Sequence, residues 1–167
     1  MVTHRSHEKA ARDLRDTLQS SLNCLKSTKV LLSPPNDTHE WAASCQPIRV
    51  GSRSFEFAHY FKTEQVGRRQ FRARTVGYLY QYLENDQESI AWHWHPLSTV
   101  RFPHIHSPGQ DHIPSGRVLL EEAVYYTILE RGWPPAIAHW QSRLYATAKD
   151  FAGDYTWLRH PDDVLGT

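Results

Sequence analysis

The chain has 167 residues, enough for one domain with a sizeable core. Its 19 Lys and Arg nearly balance 18 Asp and Glu, which excludes a global field of the kind that draws a protein to nucleic acid or an anionic membrane. No apolar run approaches the roughly 18 residues of a membrane span, and the polar stretch Met1 to Asp13 shows no signal-peptide pattern. Cys24 and Cys45 lack metal or redox spacing, so free thiols in a reducing cytoplasm are expected.

The first element is helical. Ala11, Leu14, Leu18, Leu22 and Leu25 fall on one stripe, with Ser6 placed to cap and Glu8 in the first turn. Ser33-Pro34-Pro35-Asn36-Asp37 breaks it, and residues 33–52 read as a linker. From residue 53 the period changes to two. Phe55 to Phe61 reads as a strand and Gln65 to Arg69 as a turn. Gln70 to Leu83 is a long strand, Glu84 to Gln87 a turn, Glu88 to His95 a strand, and Pro103 to Ser107 a shorter one.

Helical spacing then returns. Leu119, Leu120, Ala123, Val124, Thr127 and Ile128 make one face that stops near Gly132. Pro134-Pro135 opens a last helix with the stripe Ile137, Trp140, Leu144, Ala148 and Phe151, and the tail from Gly153 is irregular. The expectation is a single α+β domain over 1–167, an antiparallel meander of about four strands with helices packed on one face. Its parts are an N-terminal helix (1–32), the linker (33–52), the sheet (53–118) and two C-terminal helices (119–152).

The histidines carry the chemistry. Trp92-His93-Trp94-His95 and Pro103-His104-Ile105-His106 place two His-x-His pairs on adjacent strands, and His112 follows. If Leu97 to Phe102 is the loop, His93 opposes His106 and His95 opposes His104, so all four imidazoles share one side. If Glu84 to Gln87 closes the preceding hairpin, Tyr78 opposes His93 and Gly77 opposes Trp94. One face then collects Phe71, Leu79, Trp92, Trp94 and Ile105 for the core. The other collects Arg72, Arg74, Tyr78, Tyr80, Tyr82 and the histidines. A slip of one residue would turn a strand's histidines to the other side.

Three functions fit such a face. His93, His95, His104 and His106 offer neutral nitrogens to Zn²⁺, Fe²⁺, Mn²⁺ or Ni²⁺, with Asp111 as the nearby carboxylate, for metal binding or metal-dependent hydrolysis. Alternatively, the same four histidines act as metal-free general acid and base on RNA, a ribonuclease-type phosphodiesterase. Arg72, Arg74, Tyr78, Tyr80, His112 and Arg117 would then bind the substrate. Two features favour anions: six basic residues against two acids between Arg53 and Arg74, and a Gly- and Pro-rich segment, Ser107 to Arg117, before a helix N-terminus. The third function is a non-catalytic protein-interaction module with aromatic anchors.

Tyr80-Gln81-Tyr82, Pro103-His104-Ile105-His106 and the helix start Leu119-Leu120-Glu121-Glu122-Ala123-Val124 resemble the TumE-type toxins of bacterial toxin–antitoxin pairs over roughly residues 53–131. The terminal helices and the Trp-His-Trp-His element lie outside that resemblance. The chain is also similar to bacterial proteins bearing a WHWHP…PHxH…HxPxGR signature. The toxin resemblance implies an antitoxin partner and an RNA target.

Overall fold

The computed structural model describes residues 6–154. Helix α1 (His7–Leu22) starts where Ser6 accepts a hydrogen bond from the Lys9 amide (3.2 Å), and it buries Ala11, Leu14, Leu18 and Leu22. A short strand, β1 (Leu31–Leu32), closes the segment expected as the N-terminal helix, and the expected linker (33–52) holds two more, β2 (Glu40–Ser44) and β3 (Ile48–Val50). They are too short to show periodicity, and Pro34-Pro35 hides them from a propensity reading.

Two long strands follow, β4 (Arg53–Gly67) and β5 (Gln70–Glu84), then β6 (Gln87–Trp94), β7 (His104–Ser107) and β8 (Gln110–Pro114). All pair antiparallel in one sheet ordered β1-β2-β4-β5-β6-β7-β8, with β3 also on β4. The fold is α+β, but the sheet has eight strands rather than about four. Helix α2 (Leu120–Leu129) and helix α3 (Trp140–Asp154) complete it. The last helix starts at Trp140, later than its prolines suggest; the Phe151 side chain and the tail beyond Asp154 lie outside the described residues.

The helices cover one sheet face. Leu14, Leu18, Phe55, Phe61, Leu120, Val124 and Trp133 pack into one core with the strands. The Trp133 indole N–H donates to the Leu25 carbonyl (3.1 Å). His59 is wholly buried there, with Nδ1 2.8 Å from the Tyr80 hydroxyl and Nε2 2.9 Å from Thr75 Oγ1. Burial lowers its pKa to about 3, so it is a neutral structural bridge. Among the described residues no helix is long and apolar enough to cross a membrane.

Two irregularities decide what reaches the uncovered face. In β5, Val76 has no partner on β4, because Tyr60 pairs with Gly77 and Phe61 with Thr75. This extra residue reverses the alternation of β5. Ala73 and Thr75 are buried on the helix side, and beyond the bulge Tyr78, Tyr80 and Tyr82 are buried there too. Gly77 permits the bend: a Cβ at that position would lie 2.8 Å from the Trp94 carbonyl oxygen. In β6, Ser89 is the unpaired residue, since Tyr82 pairs with Ile90 and Leu83 with Glu88. Tyr78 therefore opposes Trp94 rather than His93, and Leu79 opposes His93.

Candidate metal centre

Even-numbered residues of β6 from Ile90 to Trp94 are buried under the helices, so His93 projects to the open face. The register with β7 differs by two residues from the expected one: His93 opposes His104 and Ala91 opposes His106. An even shift preserves the face, so His93, His104 and His106 still meet. The ring centroids of His93 lie 5.5 Å from His104 and 4.4 Å from His106, and those of His104 and His106 are 5.0 Å apart. His95, just beyond the end of β6, has its ring 5.8 Å from His93.

His112 joins from β8. The ladder pairs Ile105 with Ile113 and Ser107 with Gln110, so Asp111 and His112 both stand opposite His106. His112 adopts φ +57°, a left-handed conformation that costs a non-glycine residue about 1 kcal/mol or more. Its ring lies 4.9 Å from His104 and 4.8 Å from His106. The Asp111 side chain is outside the described residues.

Candidate ligand atoms of His93, His104 and His106 all lie within 4.8 Å of one another, and no other such group of three occurs among the described residues. A tetrahedral zinc ion with Zn–N of about 2.0–2.1 Å needs nitrogens about 3.3 Å apart, a gap that modest ring rotation closes. The outward nitrogens are tied. His104 Nδ1 donates to the Phe102 carbonyl (2.9 Å), and His106 Nδ1 faces Glu88 Oε1 at 3.4 Å. Those contacts set the tautomer and leave Nε2 with its lone pair, the arrangement found around metal-bound histidine. Nε2 of His93 and Nε2 of His106 are buried with no hydrogen-bond partner among the described residues. Each such orphan destabilises the metal-free chain by about 1–3 kcal/mol.

The electrostatics suit ligation. Burial, reinforced by His106, His104, His95 and His112, lowers the pKa of His93 to about 4. Burial also lowers His104, opposed by its bond to the Phe102 carbonyl, and lowers His95. These imidazoles are neutral near pH 7, the form that binds a metal.

Glu88 escapes the sequence reading, which names only Asp111 as a carboxylate near the cluster. Unbroken alternation would put Glu88 on the tryptophan face; the extra residue Ser89 turns it over to His106.

Other expected site residues lie elsewhere. Tyr78 and Tyr80 are fully buried core residues stacked 4.7 Å apart, because the β5 bulge reverses their face. Arg72 and Arg74 do lie on the open face, but Arg72 is paired with Glu64 at 2.6 Å and Arg74 lies 3.8 Å from the same carboxylate. Arg74 is also five positions along β5 from Leu79, the partner of His93, or about 16 Å at strand rise. Arg117 stacks at 3.9 Å over Trp94, whose ring is buried on the helix side. The segment before α2 forms β8 rather than an open loop, and the Leu119 amide donates to Glu122 (2.6 Å), so that helix start is already capped. Comparison with known proteins gives no match: neither a family model, nor a curated protein, nor a solved structure.

Proposed function

We propose that this chain is a metal-binding protein that holds one divalent transition-metal ion on Nε2 of His93, His104 and His106, and that the centre serves metal-dependent hydrolysis. The supporting observation is the convergence of three imidazoles, two of them with buried Nε2 atoms that have no hydrogen-bond partner among the described residues. Three imidazoles and no thiolate or tight carboxylate set suit Zn²⁺, Ni²⁺ or Fe²⁺ better than Mg²⁺ or Ca²⁺. Three protein ligands leave coordination open to water or substrate, and an ion so held lowers the pKa of bound water towards neutrality. His112, exposed beside His104 and His106, is placed to complete the shell or to move a proton at its edge.

A metal-free reaction on RNA would use the same histidines, but it loses the support of Tyr78, Tyr80 and the Glu64-bound arginines. An antitoxin partner and a cytoplasmic setting rest on the resemblance and the composition alone.

Elemental mass spectrometry of untagged protein, purified without a nickel column, tests the reading. The expected result is about one metal ion per chain, lost in a His93/His104 double substitution, with hydrolysis of p-nitrophenyl acetate or bis-p-nitrophenyl phosphate following metal content. Less than a tenth of an equivalent after incubation with zinc would overturn it.

A further inference from the structure

The mouth of the metal centre has a lining of its own. Two exposed aromatic side chains flank the histidines. Phe102 is 42% exposed, and its ring lies edge-on to His104 with centroids 5.9 Å apart. Tyr60 is 37% exposed, and its ring lies 6.0 Å from His95, which stands 5.8 Å from His93. A single exposed apolar side chain is ordinary. An apolar rim around a few convergent polar groups is how small-molecule sites are built.

The strands put both rings there. Tyr60 pairs with Gly77 at the β5 bulge. A Cβ at Gly77 would stand 3.6 Å from Tyr60 Cδ2 and 3.8 Å from Pro96 Cδ, so Tyr60 and Pro96 close over the glycine as an apolar wall beside His95. On the same open face, Leu79 opposes His93 and Ala58 opposes Leu79, which continues the row from the histidine without a charge. Phe102 acts at the other end through two separate parts. Its carbonyl accepts the His104 Nδ1–H bond (2.9 Å), and its ring lines the mouth. A substitution there changes the ring and keeps the carbonyl.

The charges narrow the reaction. Phosphoryl transfer commonly uses a second metal ion or a fixed arginine. The histidines form the only group of three converging metal-ligand atoms among the described residues. Arg72 and Arg74 face Glu64, and Arg117 stacks on Trp94. Arg101, exposed in the loop before Phe102, has no hydrogen bond, ion pair or ring contact among the described residues to hold it at the centre. One divalent ion suits a reaction in which a single negative charge develops, as it does at an acyl carbon.

We propose that the centre acts on uncharged esters or amides that carry an aromatic or similarly flat apolar group, seated against Phe102 and Tyr60. This specificity rests on the metal-centre reading. Hydrolysis adds water across the acyl C–O or C–N bond and gives a carboxylic acid and an alcohol or amine.

Acetohydroxamate and benzohydroxamate are the probes, because both present the same chelating group and only the second carries a ring. Burying about 55 Å² of that ring at about 25 cal/mol per Å² corresponds to a factor of about ten. Calorimetry on the zinc-loaded full chain should therefore show benzohydroxamate binding about tenfold more tightly. Phe102→Ala and Tyr60→Ala, with zinc affinity measured in each, should each cut that advantage to about threefold or less. The zinc-loaded chain should also favour p-nitrophenyl benzoate over p-nitrophenyl acetate, each taken relative to its rate with hydroxide. Equal hydroxamate affinities in zinc-loaded protein would overturn this proposal and leave the metal centre standing. So would an undiminished advantage in both folded, zinc-loaded variants, or turnover of bis-p-nitrophenyl phosphate with none of either ester. A chain that binds no zinc would overturn the centre and this proposal together.

Discussion

Replacing His93 by Phe separates the metal centre from the fold. His93 contributes one of three converging imidazoles, yet its Nε2 is a buried orphan without metal. Phenylalanine preserves an aromatic ring and removes that unsatisfied atom, so the metal-free variant should melt at or slightly above the parent's temperature. Zinc should then distinguish the two proteins. At free zinc about one hundred times Kd, binding confined to the folded chain adds about 2.7 kcal/mol. For a domain of this length, each kcal/mol moves the melting temperature by about 2–4 °C. The parent should therefore gain about 5–11 °C, reversibly with a chelator, and His93→Phe less than about 2 °C. Differential scanning fluorimetry on untagged protein measures both. An equal zinc shift in parent and variant, or none in the parent at saturating zinc, would refute the three-histidine centre.

Glu88→Gln should weaken zinc about 10–100-fold, because it loosens the carboxylate facing His106 Nδ1. Competition against a chromophoric chelator reads this, and the metal-free melting temperature should hold because Glu88 lies at the surface and Gln keeps its shape. His59 makes stability depend on pH. Its pKa is about 3 folded against about 6.5 unfolded, so between those values the unfolded chain binds more protons. The stability is whole above about pH 6.5 and falls as pH drops towards 3. Between pH 7 and 4.5 the loss from this group is on the order of 2–3 kcal/mol. Urea midpoints should show a smaller loss in His59→Gln; an equal loss in both proteins would count against the assignment. Gly77→Ala forces a Cβ to 2.8 Å from the Trp94 carbonyl oxygen and should destabilise by about 1–3 kcal/mol, read from urea unfolding.

The sequence carried much of the fold. Ser6 and the leucine stripe announce α1, and alternation announces β4, β5 and β6, because these elements are long enough for a period to show. The tight turn at Asn85 and Asp86, both left-handed, sits within the expected Glu84 to Gln87 turn. The gathering of the histidines survived a register error because the error was even. The tyrosines were misplaced because Val76 is a good strand former with nothing local to mark it as an extra residue; only its lack of a partner on β4 does so. Ser89 hid Glu88 in the same way. The irregularities that shape the site are properties of strand pairs, which no single strand displays.

The bulge at Val76 also divides the open face electrically. Arg72 and Arg74 sit on one side of it with Glu64 between them, and the histidines gather on the other. The separation of about 16 Å at strand rise exceeds the screening length of about 8 Å in physiological salt. Little of the arginines' positive potential therefore reaches the imidazoles, which would otherwise repel an incoming cation. Near the cluster, the described fixed charge is the Glu88 carboxylate. The length of β5 between Arg74 and Leu79 thus leaves the histidine pocket open to cations while the guanidinium groups remain on the same face of the sheet.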